Sequence, residues 1–565
     1  PGFTQAEVDR VMADWRAAYA LGETAAPTRY SSSLANTALN DSVEGDVTET
    51  PAELRRVFEL VAPQLTPDRA KARFLGDQRG RGPWITLSVP NAPEPAAVAA
   101  RWQAAWNAPD PEPYVAPTVE PFAYTDFGPP GAVVERTEIA DPGFTRFRFA
   151  NGVVLNFKSV SYTRGVVDAV IRFGDGRREI SDEDRMVALL GTSFLDDGGL
   201  GRHSIDQLRR ATAGRSWSVG LSAGLESFAL GGGGRIEDLD LQLQILTAFL
   251  TDPGFRPEID PRLPTVVDAY YRGVETSPEA QLADALLAAI DPDSPDRVPP
   301  RERLASVKTA DWARVLRDPL VSAPLEISIA GDVDEARVLE AVSRTLGALP
   351  PRPARDARRE ISLLRYPETP PAPITARHRG ARDRAVTTVV WPLYVASPER
   401  RREERALGLL SQVFDRALRE KVREELGKAY APSVGVSMPD FGDQGRLAAV
   451  VQTSPADLAA VEAAIQEVAA ELAAGRGIDA AALEAVRKPA LDAAATRRQT
   501  NSWWLGVMDG SARDPQGLKD ALDWEEVYRS LTVDEVKAAA RTWLSRPPIV
   551  ARAIPTEPSV TAAAP

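Results

Sequence analysis

The sequence predicts an α+β protein assembled from repeated domains of about 230 residues, the first of them represented only by its later part. Three observations carry this reading. A closing pattern recurs three times: a Thr-x-Asp helix start, an amphipathic helix, a short loop and an apolar strand. The threonines are Thr66, Thr309 and Thr532, with the second 243 residues after the first and the third 223 after the second. Before the second and third copies, but not the first, the same run of strands and helices precedes the closing helix. Two Pro-rich stretches, 107–130 and 350–373, fall between the copies and can sustain neither helix nor central strand. A period that long is a domain, not a solenoid unit.

In chain order, Thr4-x-x-Glu7 is a capping box opening a helix near Gln5–Tyr19, and helices near Ser31–Val43 and Pro51–Ala62 follow. Thr66 caps the first closing helix, which leads to a strand at Trp84–Val89. The second copy opens on a hairpin, Phe147–Leu155, marked by Asn151-Gly152. A strand near Val166–Phe173, helices near Asp182–Leu195 and Ser204–Ala213, paired strands around Trp217–Gly232 and a helix over Ile236–Leu250 come next. Thr309 is expected to cap the closing helix ahead of the strand Leu325–Asp332. In the third copy a strand at Val386–Leu393, a helix near Glu399–Glu425, and strands around Tyr430–Ser437 and Arg446–Thr453 precede the helix at Thr532 and the strand Ile549–Ile554. The domains are therefore expected at 1–106 (helical part only), 131–349 and 374–565, joined by 107–130 and 350–373 as extended linkers.

Composition narrows the chemistry. The net charge of −13 leaves no basic excess to offset phosphates, which argues against nucleic acid as a partner. Zero cysteines exclude disulfides, thiolate metal sites and cysteine nucleophiles. His203 and His378 are the whole imidazole supply and have no second histidine at helical spacing, so a zinc site made by this chain alone lacks its usual ligands. No apolar run approaches the roughly 20 residues of a membrane span. The start, Pro1-Gly2-Phe3-Thr4, lacks the features of a signal peptide and reads as a processed end.

Several motifs read as structure. Gly231–Gly234 lacks the Lys-Ser/Thr of a phosphate loop and is expected to be a flexible strand-to-helix turn. Asp196-Asp197 reads as a helix terminus, since adjacent helical residues point apart. Both histidines read as structural. Trp503-Trp504 reads as core, with a wall of a peptide chamber as the other option, and Arg400–Arg405 reads as a solvated helix face.

The run Arg423-Glu424-Glu425-Leu426-Gly427-Lys428-Ala429-Tyr430, at a helix end leading into a strand, resembles the R-E-x-x-G-x-x-Y run in the last domain of the insulinase/pitrilysin-like zinc peptidases, the inverzincins. Ile329-Ala330-Gly331-Asp332-Val333, Thr345-Leu346-Gly347-Ala348-Leu349-Pro350 and Arg377-His378-Arg379-Gly380 leading into Val389-Val390-Trp391-Pro392 are further similar stretches. The resemblance covers nearly the whole chain. It implies four homologous domains in two halves that close as a clamshell around a peptide, with this chain holding the later part of domain two, domain three and domain four.

What the resemblance implies about activity depends on an H-x-x-E-H motif in the family's first domain, and this sequence has none. Its counterpart by internal homology, Leu190–Gly199, has no histidine. Zinc and general base are therefore expected on a missing N-terminal part, as a separate chain or a cleaved fragment, and this chain alone is expected to be inactive. Its contribution would be Arg423, whose guanidinium offers a donor fork to a substrate carbonyl, and Tyr430, whose phenol can donate to a developing oxyanion. The expected whole is a metalloendopeptidase acting on unstructured peptides in an enclosed chamber, in the bacterial periplasm or otherwise the cytoplasm. The alternative is a non-catalytic scaffold or peptide-binding subunit partnering an active zinc peptidase.

Overall fold

The computed structural model describes residues 2–77, 84–87, 93–109, 118–178, 180–181, 183–294, 296–353, 365–394, 400–425, 432–438, 444–512 and 515–556. Two mixed sheets carry the fold. The first contains β1 (Val133–Ile139), β2 (Phe144–Phe149), β3 (Val154–Ser159), β4 (Val166–Phe173), β5 (Gly220–Ala223), β6 (Phe228–Arg235) and β7 (Leu325–Gly331), in the order β1-β2-β3-β7-β4-β6-β5. The second contains β8 (Ile374–His378), β9 (Ala385–Leu393), β10 (Ser433–Ser437), β11 (Gly445–Thr453) and β12 (Ile549–Pro555), in the order β10-β11-β9-β12-β8. Among the described residues only β3 with β7 and β8 with β12 run parallel. Without β1 and β2 the first sheet reads β3-β7-β4-β6-β5, and the second, read from its other edge, is β8-β12-β9-β11-β10. The two share one topology, and the internal repeat seen in the sequence is a repeat of structure.

The strands form where the side-chain pattern suits a sheet. In β4 the alternate residues Val167, Ala169, Ile171 and Phe173 are buried. The strands β7 and β9 are buried along their whole lengths, because helices cover both faces of each sheet. Between β2 and β3 the chain turns at Asn151-Gly152. Gly152 has φ +90°, and a Cβ there would come within 2.6 Å of the Arg352 carbonyl oxygen. Asn151 Nδ2 donates to the carbonyls of Leu346 and Leu349 at 2.9 and 3.0 Å, fixing the turn against the end of the closing unit.

On its main face the first sheet packs helices Leu239–Thr251 and Thr309–Ser322 around Leu155, Ile171, Phe173, Phe249, Trp312 and Leu316. The second sheet packs Arg401–Glu420, Leu458–Ala473 and Val533–Leu544 around Trp391, Phe414, Leu447 and Trp543. The opposite faces are covered by exchange. Helix Pro278–Ile290, which lies between β6 and β7 of the first sheet in sequence, sends Leu282 and Leu286 onto Val386, Val390 and Ile549 of the second. Helix Asn501–Met508 sends Trp504, Leu505 and Met508 back onto Phe144, Val160 and Ala330 beside the first.

Four sequence expectations need correction. Among residues 84–89, only 84–87 are described, and they form no strand; Trp84 is 95% exposed. No strand precedes Val133 among the described residues. Thr309 is the first residue of its helix, not its cap. The N-cap is Lys308, whose main-chain N–H donates to Asp311 Oδ2 at 3.0 Å, while the Thr309 N–H is taken by Asp260 at 2.9 Å. The described part of 107–130 is not a free spacer, because Phe122, Tyr124 and Phe127 pack on the first core. The fourth correction, Gly231–Gly234, is not a turn: all four glycines lie inside β6, paired with Val167–Val170.

The glycines of β6 have a steric reason. A Cβ on Gly232 would fall 1.9 Å from the Ser218 carbonyl oxygen, one on Gly234 2.3 Å from that of Ser216, and one on Gly233 2.0 Å from Asp168 Oδ1. The run exists so that a second segment of chain can lie against the strand.

Ahead of β1 the described chain is helical: Gln5–Ala25, Ser31–Glu44, Pro51–Val61, Pro67–Asp77 and Pro95–Trp106. Their shared core is small (Met12, Phe58 and Ala62), and Trp15 and Leu60 remain 49% and 68% exposed. The Gly214 N–H donates to Asp14 Oδ1 at 2.7 Å and the Arg164 N–H to Thr28 Oγ1 at 3.2 Å, which docks this unit beside the first sheet.

Candidate functional site

Helix Arg401–Glu420 is amphipathic, with Leu407, Leu410, Phe414 and Leu418 buried against the second sheet. At its end the chain widens into a single π-turn, Lys421–Glu425. Such turns shift the side-chain phase by one residue, and they recur at functional sites. Here Val422 stays fully buried while Arg423 faces outward, exposed, with no hydrogen bond or ion pair to a described residue. The turn is held from both sides. Lys421 Nζ pairs with Glu467 at 2.9 Å, and Asp415 accepts from Arg419 Nε at 2.7 Å and from the Val434 N–H of β10 at 3.0 Å. Among the described residues Arg423 is thus a guanidinium without an ion-pair partner, on a fixed support. Tyr430 lies outside the described residues.

Arg400–Arg405 is not a solvated face. Arg401 pairs with Asp520 at 2.7 Å, Arg402 Nη2 with Glu535 Oε2 at 3.1 Å, and Arg405 Nη2 donates to the Asp520 carbonyl at 3.1 Å. These bonds tie the start of the Arg423 helix to helices Pro515–Ser530 and Val533–Leu544, and the Arg402 bond draws the Glu535 carboxyl down to about 2. The charges look solvent-directed in sequence because their acidic partners lie over 100 residues away.

Both histidines are committed internally. His378 Nε2 lies 3.0 Å from the Arg384 carbonyl and its Nδ1 accepts from the Gly380 N–H at 3.2 Å, which assigns the Nε2–H tautomer. His203 is buried; its Nε2 accepts from the Ala123 N–H at 3.0 Å and its ring stacks on Phe122. Burial lowers its pKa. The nearby Tyr124 hydroxyl donates to Asp252 at 2.7 Å and accepts from the Arg202 N–H, with burial first and the Asp252 bond second raising it to about 12. These contacts clasp residues 122–124 to the first sheet's unit. Among the described residues no group of three or more His, Cys, Asp or Glu side chains is placed to hold a metal ion, and the two imidazoles do not fit a zinc site. Asp197 pairs with Arg262 at 3.2 Å rather than with Asp196. Trp504 is buried between Lys158, 4.4 Å above its ring, and Trp503 at 4.9 Å.

Sequence reasoning missed Asp238 and Gln242, both 1% exposed. Asp238 accepts from the Ser216 N–H at 2.8 Å; Gln242 accepts from the Ser218 N–H at 3.0 Å and donates to its carbonyl at 2.8 Å. The sequence marks them weakly: Asp238 and Gln242 are spaced i and i+4, but Asp240 and Gln244 of the same run are polar too.

Residues 322–489 match the family model described as the peptidase M16 inactive domain. The stromal processing peptidase of the Pisum sativum chloroplast is 22% identical over 470 residues, covering 72% of this chain and 36% of that protein. The periplasmic protease PqqL of Escherichia coli superposes with a TM-score of 0.67 at 17% identity, over 98% of this chain and 61% of that one. The ferredoxin protease FusC, solved in complex with Arabidopsis ferredoxin, gives a TM-score of 0.66 at 12% identity, over 99% and 62%. The chain therefore spans less than two thirds of the length of each of these proteins. No described helix is long and apolar enough to cross a membrane.

Proposed function

From a chain that resembles the C-terminal part of the M16 peptidases, with their fold across both sheets and their inactive domain at 322–489, we propose that this polypeptide is the C-terminal portion of a zinc-dependent metalloendopeptidase acting on unstructured peptides. Residues 131–349 and 374–565 would be the third and fourth peptidase-like domains, and 1–106 the helical part of the second. An N-terminal portion, as a separate chain or a cleaved fragment, would hold the zinc ion and the general base. The metal would supply an activated water; the present residues would bind and orient the peptide. Arg423 would donate to a substrate carbonyl, and Tyr430 to the oxyanion as the carbonyl carbon becomes tetrahedral. The likeness to PqqL supports a periplasmic location.

The observation that carries this reading is Arg423 itself, a guanidinium with no described partner, exposed at the end of a braced helix. A pure scaffold has no need of it. The second reading, a non-catalytic peptide-binding subunit, is favoured by the inactive character of the matched domain and by the lack of a metal cluster among the described residues. Intact mass and zinc analysis of the native material separate the two. A second, tightly held polypeptide with one zinc per complex is expected, and in it Arg423→Ala and Tyr430→Phe should each lower kcat for an unstructured peptide by about 10²–10³-fold with unchanged melting. Unchanged turnover in both variants would leave the scaffold reading.

A further inference from the structure

We propose that the free edge of β5, with the extended residues leading into it, is a docking strand that binds a polypeptide segment in extended form, as an eighth strand of the first sheet, with apolar side chains at alternate positions. The proposal takes its ligand class from the peptidase reading above, but its geometry stands apart from Arg423.

β5 is the terminal strand of its sheet among the described residues, with helix Arg185–Phe194 packed against it. On its inner side Gly220 and Ser222 are paired with Gly231 and Ala229 of β6. Ahead of β5 the ladder is continued by buried side chains: Asp238 meets Ser216, and Gln242 takes both main-chain groups of Ser218. In extended chain the main-chain groups of successive residues point to opposite sides. Those of Trp217, Val219, Leu221 and Ala223 therefore face away from β6. Trp217 and Val219 make no main-chain hydrogen bond among the described residues.

Proteins blunt such edges with prolines, charges or bulges. The Trp217–Ala223 stretch has none of these. Instead Trp217, Ser218 and Val219 form a wall of an open cavity of about 690 Å³, with Arg10 and Val11 of helix Gln5–Ala25 also lining it. That volume is within the range of ligand sites. Along the edge Trp217, Val219 and Leu221 are half-buried on one face of the strand, while Ser218, Gly220 and Ser222 are exposed on the other. An added strand would place every second side chain beside the apolar face, which sets the alternation. Both signs of charge line the cavity, Arg10 and Arg209 with Asp196 and Asp206, so recognition would come from the main chain and the alternation and not from net charge.

The test uses the full chain and a fluorescein-labelled decapeptide alternating valine with lysine, together with two versions N-methylated on all valines or on all lysines. Fluorescence anisotropy should show one methylated version losing at least about tenfold in affinity while the other retains it, because only one set of amides can face the edge. Amide exchange should slow at Trp217, Val219, Leu221 and Ala223 in the complex. Val219→Pro, which removes an outward N–H that the fold does not use, should weaken binding similarly. Failure of the unmethylated peptide to bind, equal binding of both methylated versions, or protection elsewhere would overturn the proposal, and the methylated peptides keep it testable if Val219→Pro misfolds. The measurement needs no turnover. A peptide-cleaving complex with an unprotected β5 would sink this inference and leave the peptidase reading, whereas a protected β5 in a zinc-free, inert protein would do the reverse.

Discussion

Replacing Gln242 by methionine keeps the volume of a buried side chain while removing its carboxamide. The wild-type amide makes two bonds, at 3.0 and 2.8 Å, to the N–H and C=O of Ser218. A buried backbone group left unpaired costs about 1–3 kcal/mol, so the two together would approach 2–6 kcal/mol in a sealed core. Ser218 is exposed, however, and water can reach its main chain once the segment lifts. The lower end applies, about 2 kcal/mol. At about 2–4 °C per kcal/mol for a unit of this size, the expected fall in Tm is roughly 4–8 °C. Differential scanning calorimetry measures it, with Ser222→Ala as the control, since that hydroxyl makes only a 3.5 Å bond on the exposed side. A Tm within 1 °C of the parent (about 0.5 kcal/mol or less) would show that Gln242 does not hold the segment, and the steric account of the β6 glycines would go with it.

Trp504→Ala should cost about 3–5 kcal/mol through the cavity it leaves, read as a lowered midpoint in urea without a change in slope. Thr532→Ala removes a cap that accepts from the Glu535 N–H at 3.3 Å and should cost about 1 kcal/mol by the same measurement. Glu535, drawn down from 4.5 to about 2, contributes stability that is present above pH 4.5 and lost as the pH falls toward 2; Arg402→Ala should flatten that limb of the pH–stability curve. Burial lowers His203 below 6.5, so its neutral form favours folding, and that contribution shrinks as the pH falls below 6.5. The protection factor of the Ala123 amide, bonded to His203 Nε2, should accordingly fall at pH 5 relative to pH 7.5, and an unchanged protection factor would refute the clasp.

What could be read from the chain was whatever depends on neighbours in sequence. Asn151-Gly152 announced its hairpin, the alternation of Val166–Phe173 its strand, and Thr4 and Thr532 their helices, because turn and cap chemistry is local. The topology shared by the two sheets showed in the spacing of Thr309 and Thr532. Long-range contacts decided the rest. Four glycines in a row look like a turn until Ser216 and Ser218 are laid across them. Thr309 loses its capping role to Lys308 because Asp260, 49 residues away, claims its N–H. Arg423 was proposed from the motif alone and remains a proposal, while the π-turn that exposes it depends on Val422 being anchored in a core built from distant strands. Amphipathicity predicted that helices Pro278–Ile290 and Asn501–Met508 would be buried, but it carries no information on which sheet they would cover.

That cross-covering has a mechanical meaning. A chain severed between residues 353 and 365 would yield two fragments, each missing the helix that shields one face of its own sheet and each holding the helix that its counterpart lacks. Neither fragment could hide its apolar face alone, so they should complement one another without a covalent link and dissociate only on unfolding. The peptide connection between the sheets then serves chiefly to raise effective concentration during assembly, and nicking there would leave the finished molecule intact.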